Sequence, residues 1–282
     1  MPIGIVTDST ADLPPSLVER FGVEVIAALL ILDGQEYIDG VNISRQEFYE
    51  RLPTLQRVST ASPSAGAFRS AYQRLFERGY THIVSIHVAA SLSGIYNAAR
   101  LAAQEFAGRV SVMDSGQLSF GLGLQVLAAA ETALRPGVRP QEVVQAVLST
   151  QNRLWVKAAL DTMEYLRRSG RVPAAVAMLG GMLHIRPLIE LRNGVVKAIG
   201  MVRTTAQADE WLAKDLHSLP PLKRLAILHT GAEARARRFM ERMSQELGAN
   251  WPAESWLINV TSVIGAHLGP NGLGYAALRR ED

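Results

Sequence analysis

The feature that most constrains this chain is its repeated switching between short β-rich runs and longer helix-like ones. Ile3 to Thr7 and Val23 to Leu32 read as strands, as do segments at about 82–88 and 109–113. Helices are predicted from Pro14-Pro15 to Phe21 and at about 63–78, 93–106, 117–134 and 140–152. Ser44 is a predicted N-cap, with Glu47 completing a capping box. Alternation of this kind implies a parallel sheet with helices on both faces.

The pattern changes after the loop-like Pro136-Gly137-Val138-Arg139-Pro140 and the helix that follows it. Ile185 to Ile199 holds Asn193-Gly194 between two apolar runs, the strongest short signal for a hairpin. Helices are then expected at about 204–217 and 233–247, and strands at about 224–229 and 256–260. The expected architecture is therefore α/β with two domains. Residues 1–153 form an N-terminal, Rossmann-like parallel-sheet domain, and residues 154–282 a C-terminal mixed α/β domain.

Composition removes several classes of function. With no cysteine, the chain has no disulfide, thiolate metal site or cysteine nucleophile, which suits a reducing cytoplasm. No apolar run approaches the roughly 18 residues of a membrane span, and no signal-peptide pattern opens the chain, so stable membrane insertion is not expected. The net charge of +3 speaks against nucleic-acid binding, which usually shows a larger single-sign patch. The densest basic segment, Arg235, Arg237, Arg238 and Arg242, is interspersed with Glu233, Glu241 and Glu246, and reads as a solvated helix face or a docking surface.

Polar residues gather where the predicted strands end. Asp8-Ser9 follows the first, Ser91 and Ser93 a later one, and Asp114-Ser115 the next. In open parallel sheets, ligands bind beyond the carboxyl ends of the strands. Ser91-Leu92-Ser93-Gly94-Ile95-Tyr96 opens a helix, where free N–H groups and the dipole favour an anion. Thr60-Ala61-Ser62-Pro63-Ser64 precedes another helix, with Pro63 near its first turn, and Gly265 to Pro270 is a loop-like segment carrying His267. The three clusters together suggest a site for a small anion.

The alternatives are less specified. A serine hydrolase or acyltransferase using Ser93 with a histidine can be assembled on paper from His87, His229 or His267, although no Gly-x-Ser-x-Gly elbow is present. A nucleic-acid- or protein-binding regulator is a third reading, disfavoured by the small net charge. The six histidines, including His184, lack metal-site spacing. No phosphate loop occurs, and Gly121-Leu122-Gly123 lacks the third glycine of a dinucleotide fingerprint. The apolar segment Val176 to Leu183, rich in glycine and methionine, reads as core or as the lining of a pocket for a flexible apolar ligand.

Taken in order, Thr7-Asp8-Ser9-Thr10-Ala11-Asp12-Leu13, Thr60 to Ser64, Ser91 to Tyr96, Thr162 to Arg171, Ile185-Arg186-Pro187, Arg203-Thr204 and Ile264 to Pro270 resemble the DegV family, which includes the fatty-acid-binding subunits of bacterial fatty acid kinase. Two departures stand out: Ile95 where many members carry threonine, and Asn271 within a common Gly-Pro-Gly run. The resemblance implies a DegV-like fold and a non-enzymatic carrier of one long-chain fatty acid, such as palmitate, stearate or oleate. The acid lies between the domains, with no cofactor. A separate ATP-dependent kinase subunit would convert its carboxylate to an acyl phosphate. By the same resemblance, Thr60, Ser93 and His267 hold the carboxylate, and Ser62, Ser91, Gly94 and Gly265 support the head-group loops. Arg171 and Arg203 face the partner or the transferred phosphoryl group. Two hydroxyls and an imidazole are suitable compensation for a buried carboxylate, and a protonated His267 would add a charge-assisted bond.

Overall fold

The structure, a computed structural model, describes residues 2–172, 177 and 185–281. Of the segment 176–183 only Ala177 is described, and His184 lies outside the described residues.

The first half is built on the parallel sheet that the alternation predicted. Its order is β2-β1-β6-β7, with β1 at Ile3–Asp8, β2 at Glu24–Ile26, β6 at His82–His87 and β7 at Val110–Asp114. β1 is buried along its full length, as a strand covered on both faces must be. The helices are α1 (Pro15–Phe21), α2 (Arg45–Arg51), α3 (Ala65–Glu77), α4 (Ile95–Ala103), α5 (Ser119–Ala133) and α6 (Pro140–Gln151). Ser44 caps α2 by accepting the Glu47 N–H at 3.1 Å. Ser64 caps α3, so Pro63 lies just outside that helix, next to its first turn.

The single strand expected over Val23 to Leu32 is two strands in two sheets. β2 stops at Ile26 because β1, its partner, ends at Asp8, and the Ala28 N–H turns aside to Ser9 Oγ at 3.1 Å. The chain then enters β3 (Leu29–Leu32), the centre of a three-stranded antiparallel sheet with β4 (Gln35–Ile38) and β5 (Val58–Ala61). Thr60 thus sits on a strand.

The second half carries a six-stranded mixed sheet of order β10-β9-β8-β13-β11-β12. These strands are β8 (Leu154–Ala159), β9 (Arg186–Arg192), β10 (Val195–Val202), β11 (Leu222–His229), β12 (Glu254–Asn259) and β13 (Leu273–Arg279). β9 and β10 form the predicted hairpin, whose turn residues Asn193 and Gly194 both have positive φ, at 50° and 75°. One face of the sheet packs Tyr275, Leu225 and Ile227 against α8 (Thr205–His217) and α9 (Glu233–Leu247). Three of the four arginines of α9 are ion-paired: Arg235 with Asp209, Arg237 with Glu233, and Arg242 with Glu210 and Glu246.

The other face meets the first half. α5 is buried along most of its length and touches β1 and β6 on one side, β8 and β13 on the other. Its glycines allow this approach. A Cβ on Gly121 would fall 2.6 Å from Val156 Cγ2, and one on Gly123 2.6 Å from Ala11 O. The Gly121-Leu122-Gly123 pair therefore serves helix packing.

A short helix, α7 (Glu164–Ser169), follows β8, and a last one, α10 (Ser262–Leu268), joins β12 to β13. α10 corrects the loop expected around His267. Gly265 reads as a helix breaker in sequence, but a Cβ there would collide with the Tyr49 hydroxyl, so glycine is required where α10 crosses α2.

Candidate functional site

A cavity of about 150 Å³ lies between the two halves. By this measure one water needs about 10–15 Å³, so the space corresponds to on the order of ten waters. Its wall is mainly aliphatic: Val88, Leu92, Ile95 and Leu118 come from the first half, and Val156, Ile189, Leu191, Val196, Leu228 and Leu273 from the six-stranded sheet. Ala158 and Gly274 on that sheet, and Gly272 just before β13, keep side-chain volume out of the space.

At one part of this wall, Thr60, Ser62, Ser93, Gly94, Arg171 and His267 border the cavity together. Thr60 at the end of β5 and His267 in the last turn of α10 are joined directly, Oγ1 to Nε2, at 2.9 Å. Ser93 precedes α4, and its Oγ accepts the Ile95 N–H at 3.4 Å, leaving the hydroxyl hydrogen to donate elsewhere. Ser62 lies against Gly94, where an added Cβ would stand 3.2 Å from the serine Oγ. Burial, reinforced by the positive charge of Arg171, pushes the His267 pKa down to about 4. The imidazole is therefore neutral at pH 7 unless a carboxylate beside it raises its pKa.

Three further residues of these motifs, Ser91 and Gly265 from the head-group loops and the partner-facing Arg203, do not border the cavity. Ser91 does not border the cavity; its Oγ donates to Gly194 O at 2.5 Å, tying the loop before α4 to the β9–β10 turn. Gly265 packs α10 on Tyr49. Arg203 is exposed beside the Thr204 cap of α8, where its backbone N–H reaches Gln207 Oε1 at 3.0 Å, away from the cavity wall.

α10 itself is held by a buried polar network that the sequence reading missed. Asp12, in a left-handed turn at φ 54° after β1, accepts the Thr261 N–H at 2.8 Å and the Ser119 O–H at 2.6 Å. Arg45 pairs with the same carboxylate at 3.0 Å and also donates to Asn259 O. Thr261 donates its hydroxyl to Asp39, and Tyr49 donates to Val260 O at 2.8 Å. Burial outweighs Arg45 and pushes the Asp12 pKa up to about 6, with the nearby Asp39 charge adding to the rise. The only sequence signal was Asp12 within the Thr7 to Leu13 motif.

The hydrolase reading meets a different geometry. Asp8, His87 and Ser85 form an acid–imidazole–hydroxyl chain, with Asp8 Oδ2 to His87 Nδ1 at 3.0 Å and His87 Nε2 to Ser85 Oγ at 2.7 Å. Tyr72 closes it at 2.9 Å from Ser85. All four are fully buried in the first half, and none borders the cavity, so the chain is core structure. Ser93 has no histidine partner among the described residues; the cavity imidazole of His267 is engaged by Thr60. Among the described residues, no group of three or more His, Asp or Glu side chains is placed to hold a metal ion. Asp114 serves its own loop, accepting from Ala90 and Gly116.

Comparison with known proteins agrees with this architecture. The family model described as uncharacterised protein, DegV family, matches residues 2–280. A DegV domain-containing protein of Deinococcus radiodurans is 36% identical over 98% of each chain, and one of Streptomyces coelicolor is 35% identical over 99% of each. Among solved structures, a Thermus thermophilus DegV family protein, reported for its fatty acid binding, superposes with a TM-score of 0.89 at 32% identity, covering 99% of this chain and 100% of that one. DegV of Bacillus subtilis, reported as a fatty acid binding protein, gives 0.87 at 25% identity, with the same coverage. The sheet orders, the cavity between the halves and matches spanning nearly the whole length lead to one assignment: this chain belongs to the DegV family.

Proposed function

We propose that this protein carries a long-chain fatty acid in the cavity between residues 1–153 and 154–282, taken as its two domains. Its carboxylate would lie on Thr60, Ser93 and His267. The observation that carries this reading is the Thr60–His267 pair at the edge of an aliphatic cavity. The fatty-acid-binding relatives from Thermus thermophilus and Bacillus subtilis support it.

The physics is consistent. A buried acyl chain gains about 0.8 kcal/mol per methylene, offset by association costs. A carboxylate without partners would forfeit much of that gain. Ser93 and Thr60 donate O–H groups, and the carboxylate favours a proton on His267, strengthening that contact.

The finer role is presentation. In the cytoplasm, a separate ATP-dependent kinase would let the bound carboxylate oxygen attack the γ-phosphorus of ATP. A new C–O–P linkage forms as the bond to ADP breaks. Arg171, exposed at the cavity edge, and Arg203 would face the incoming phosphate or the partner.

Native mass spectrometry of the purified protein, followed by lipid extraction, tests the carrier reading. One equivalent of a long-chain acid is expected. A protein that is empty and fails to take up palmitate or oleate would refute it. Steady turnover of short acyl esters, abolished in Ser93→Ala, would restore the hydrolase reading.

A further inference from the structure

The cavity has a second polar point that the carboxylate site does not use. His229, at the end of β11, and Thr230 after it both border the space, each 3% exposed. His229 Nδ1 accepts the Ala232 N–H at 3.1 Å, which fixes the proton on Nε2. That Nε2–H has no hydrogen-bond partner among the described residues. Thr230 Oγ1 accepts the Gly272 N–H at 2.7 Å and keeps a lone pair and its own hydrogen. Around them stand Leu160, Leu228, Val260 and Leu273.

A donor that faces a mainly aliphatic cavity calls for an acceptor inside it. We propose that His229 and Thr230 form an uncharged oxygen-binding point, and that the ligand engaging it is an acyl chain bearing a hydroxyl group. The inference rests on the fatty-acid reading above. A hydroxyl matches both groups at once, accepting from His229 Nε2–H and donating to Thr230 Oγ1. A second carboxylate or a phosphate fits less well. Burial holds the His229 ring neutral, with its pKa pushed down to about 4, and the nearby Arg45 is already bound to Asp12.

The test is displacement of a fluorescent fatty acid by palmitate and by hydroxypalmitates with the hydroxyl moved along the chain. It uses the full-length protein and its His229→Phe and Thr230→Val variants. In the wild type, one isomer or two adjacent ones should bind about three- to tenfold tighter than the rest, the range of a neutral hydrogen bond. Both variants should lose that preference while binding palmitate within about twofold of wild type. Should His229→Phe fail to fold, Thr230→Val alone decides. A uniform penalty for every hydroxyl position in the wild type, as expected if ordered water fills the point, would overturn the proposal. So would a preference that survives in each folded variant. Failure of palmitate itself to bind the wild type would overturn the fatty-acid reading instead, and this inference with it.

Discussion

Asp12 Oδ1 accepts the Thr261 N–H at 2.8 Å, joining positions 249 apart in the chain. Thr261 is the N-cap of α10, and His267 sits in the last turn of that helix. The carboxylate after the first strand thereby fixes the helix that presents the imidazole to the cavity. Asp12→Ala removes the partner of Arg45, Ser119 and Thr261 together. Breaking a buried pair in this way costs about 3–5 kcal/mol. Denaturant unfolding should show a loss of that order, with faster release of bound acid. A stability change below about 1 kcal/mol would mean that the network does not hold α10.

The same carboxylate makes a pH prediction. Its folded pKa of about 6 lies above the ordinary value of 3.8. The folded state therefore binds the proton more tightly than the unfolded chain. This contribution is fully present below pH 3.8 and is lost as pH rises through 6. Unfolding free energies of wild type and Asp12→Asn, measured between pH 4 and 7, should diverge in that sense. The wild type should lose on the order of 2–3 kcal/mol relative to the variant. A pH-independent difference would place the titration elsewhere.

His267 gives the opposite experiment, on the ligand. Burial and Arg171 hold its pKa down to about 4, and an adjacent carboxylate must raise it. Binding should therefore take up protons, and affinity should rise as pH falls towards the bound-state pKa. Calorimetry above pH 6.5, in buffers of different ionisation enthalpy, reads the uptake directly. His267→Gln should abolish it.

Removing the proposed head-group donors should weaken retention in proportion to their hydrogen bonds. His267→Ala or Thr60→Val is expected to reduce affinity by about 10- to 100-fold, the range for a bond to a charged group. Asn271→Gly, at the exposed turn before β13, should leave retention unchanged. Equal loss of lipid in all three variants would remove the assigned roles.

Packing around α5 is a separate prediction. Gly121→Val places a branched side chain against Val156 Cγ2 and Gln117 Oε1. Overpacking should cost about 1–3 kcal/mol. Thermal unfolding should show the loss, whereas Gly137→Val, with open space around it, should be affected only by its positive φ of 73°.

Local signals carried much of this fold into the sequence. Short β-rich runs identified β1 and β6, Asn193-Gly194 the hairpin, and Ser44 its helix. What stayed hidden depends on distant partners. Val23 to Leu32 divides because β1 ends, and Gly265 sits in a helix because Tyr49 fills the space opposite. The polar clusters at 60–64, 91–96 and 265–270 suggested one anion site, but the individual roles of Thr60, Ser93 and His267 came from the resemblance, since nothing local joins position 60 to position 267. Ser91 and Arg203 share those motifs but face other neighbours. Thr261, which Asp12 grips, carried no sequence mark.

β13 has consequences for how the molecule is made. It lies between β8 and β11, yet follows both in the chain. During synthesis from the amino end, these two strands emerge with a gap between them, which only residues 273–279 can close. Until then the inward faces of Val156 and Leu228 lack their neighbour, and α10 has no returning strand to anchor it. A nascent chain would already display Thr60 and Ser93 but could not yet enclose a ligand. Loading would wait for the ribosome to finish the centre of the sheet.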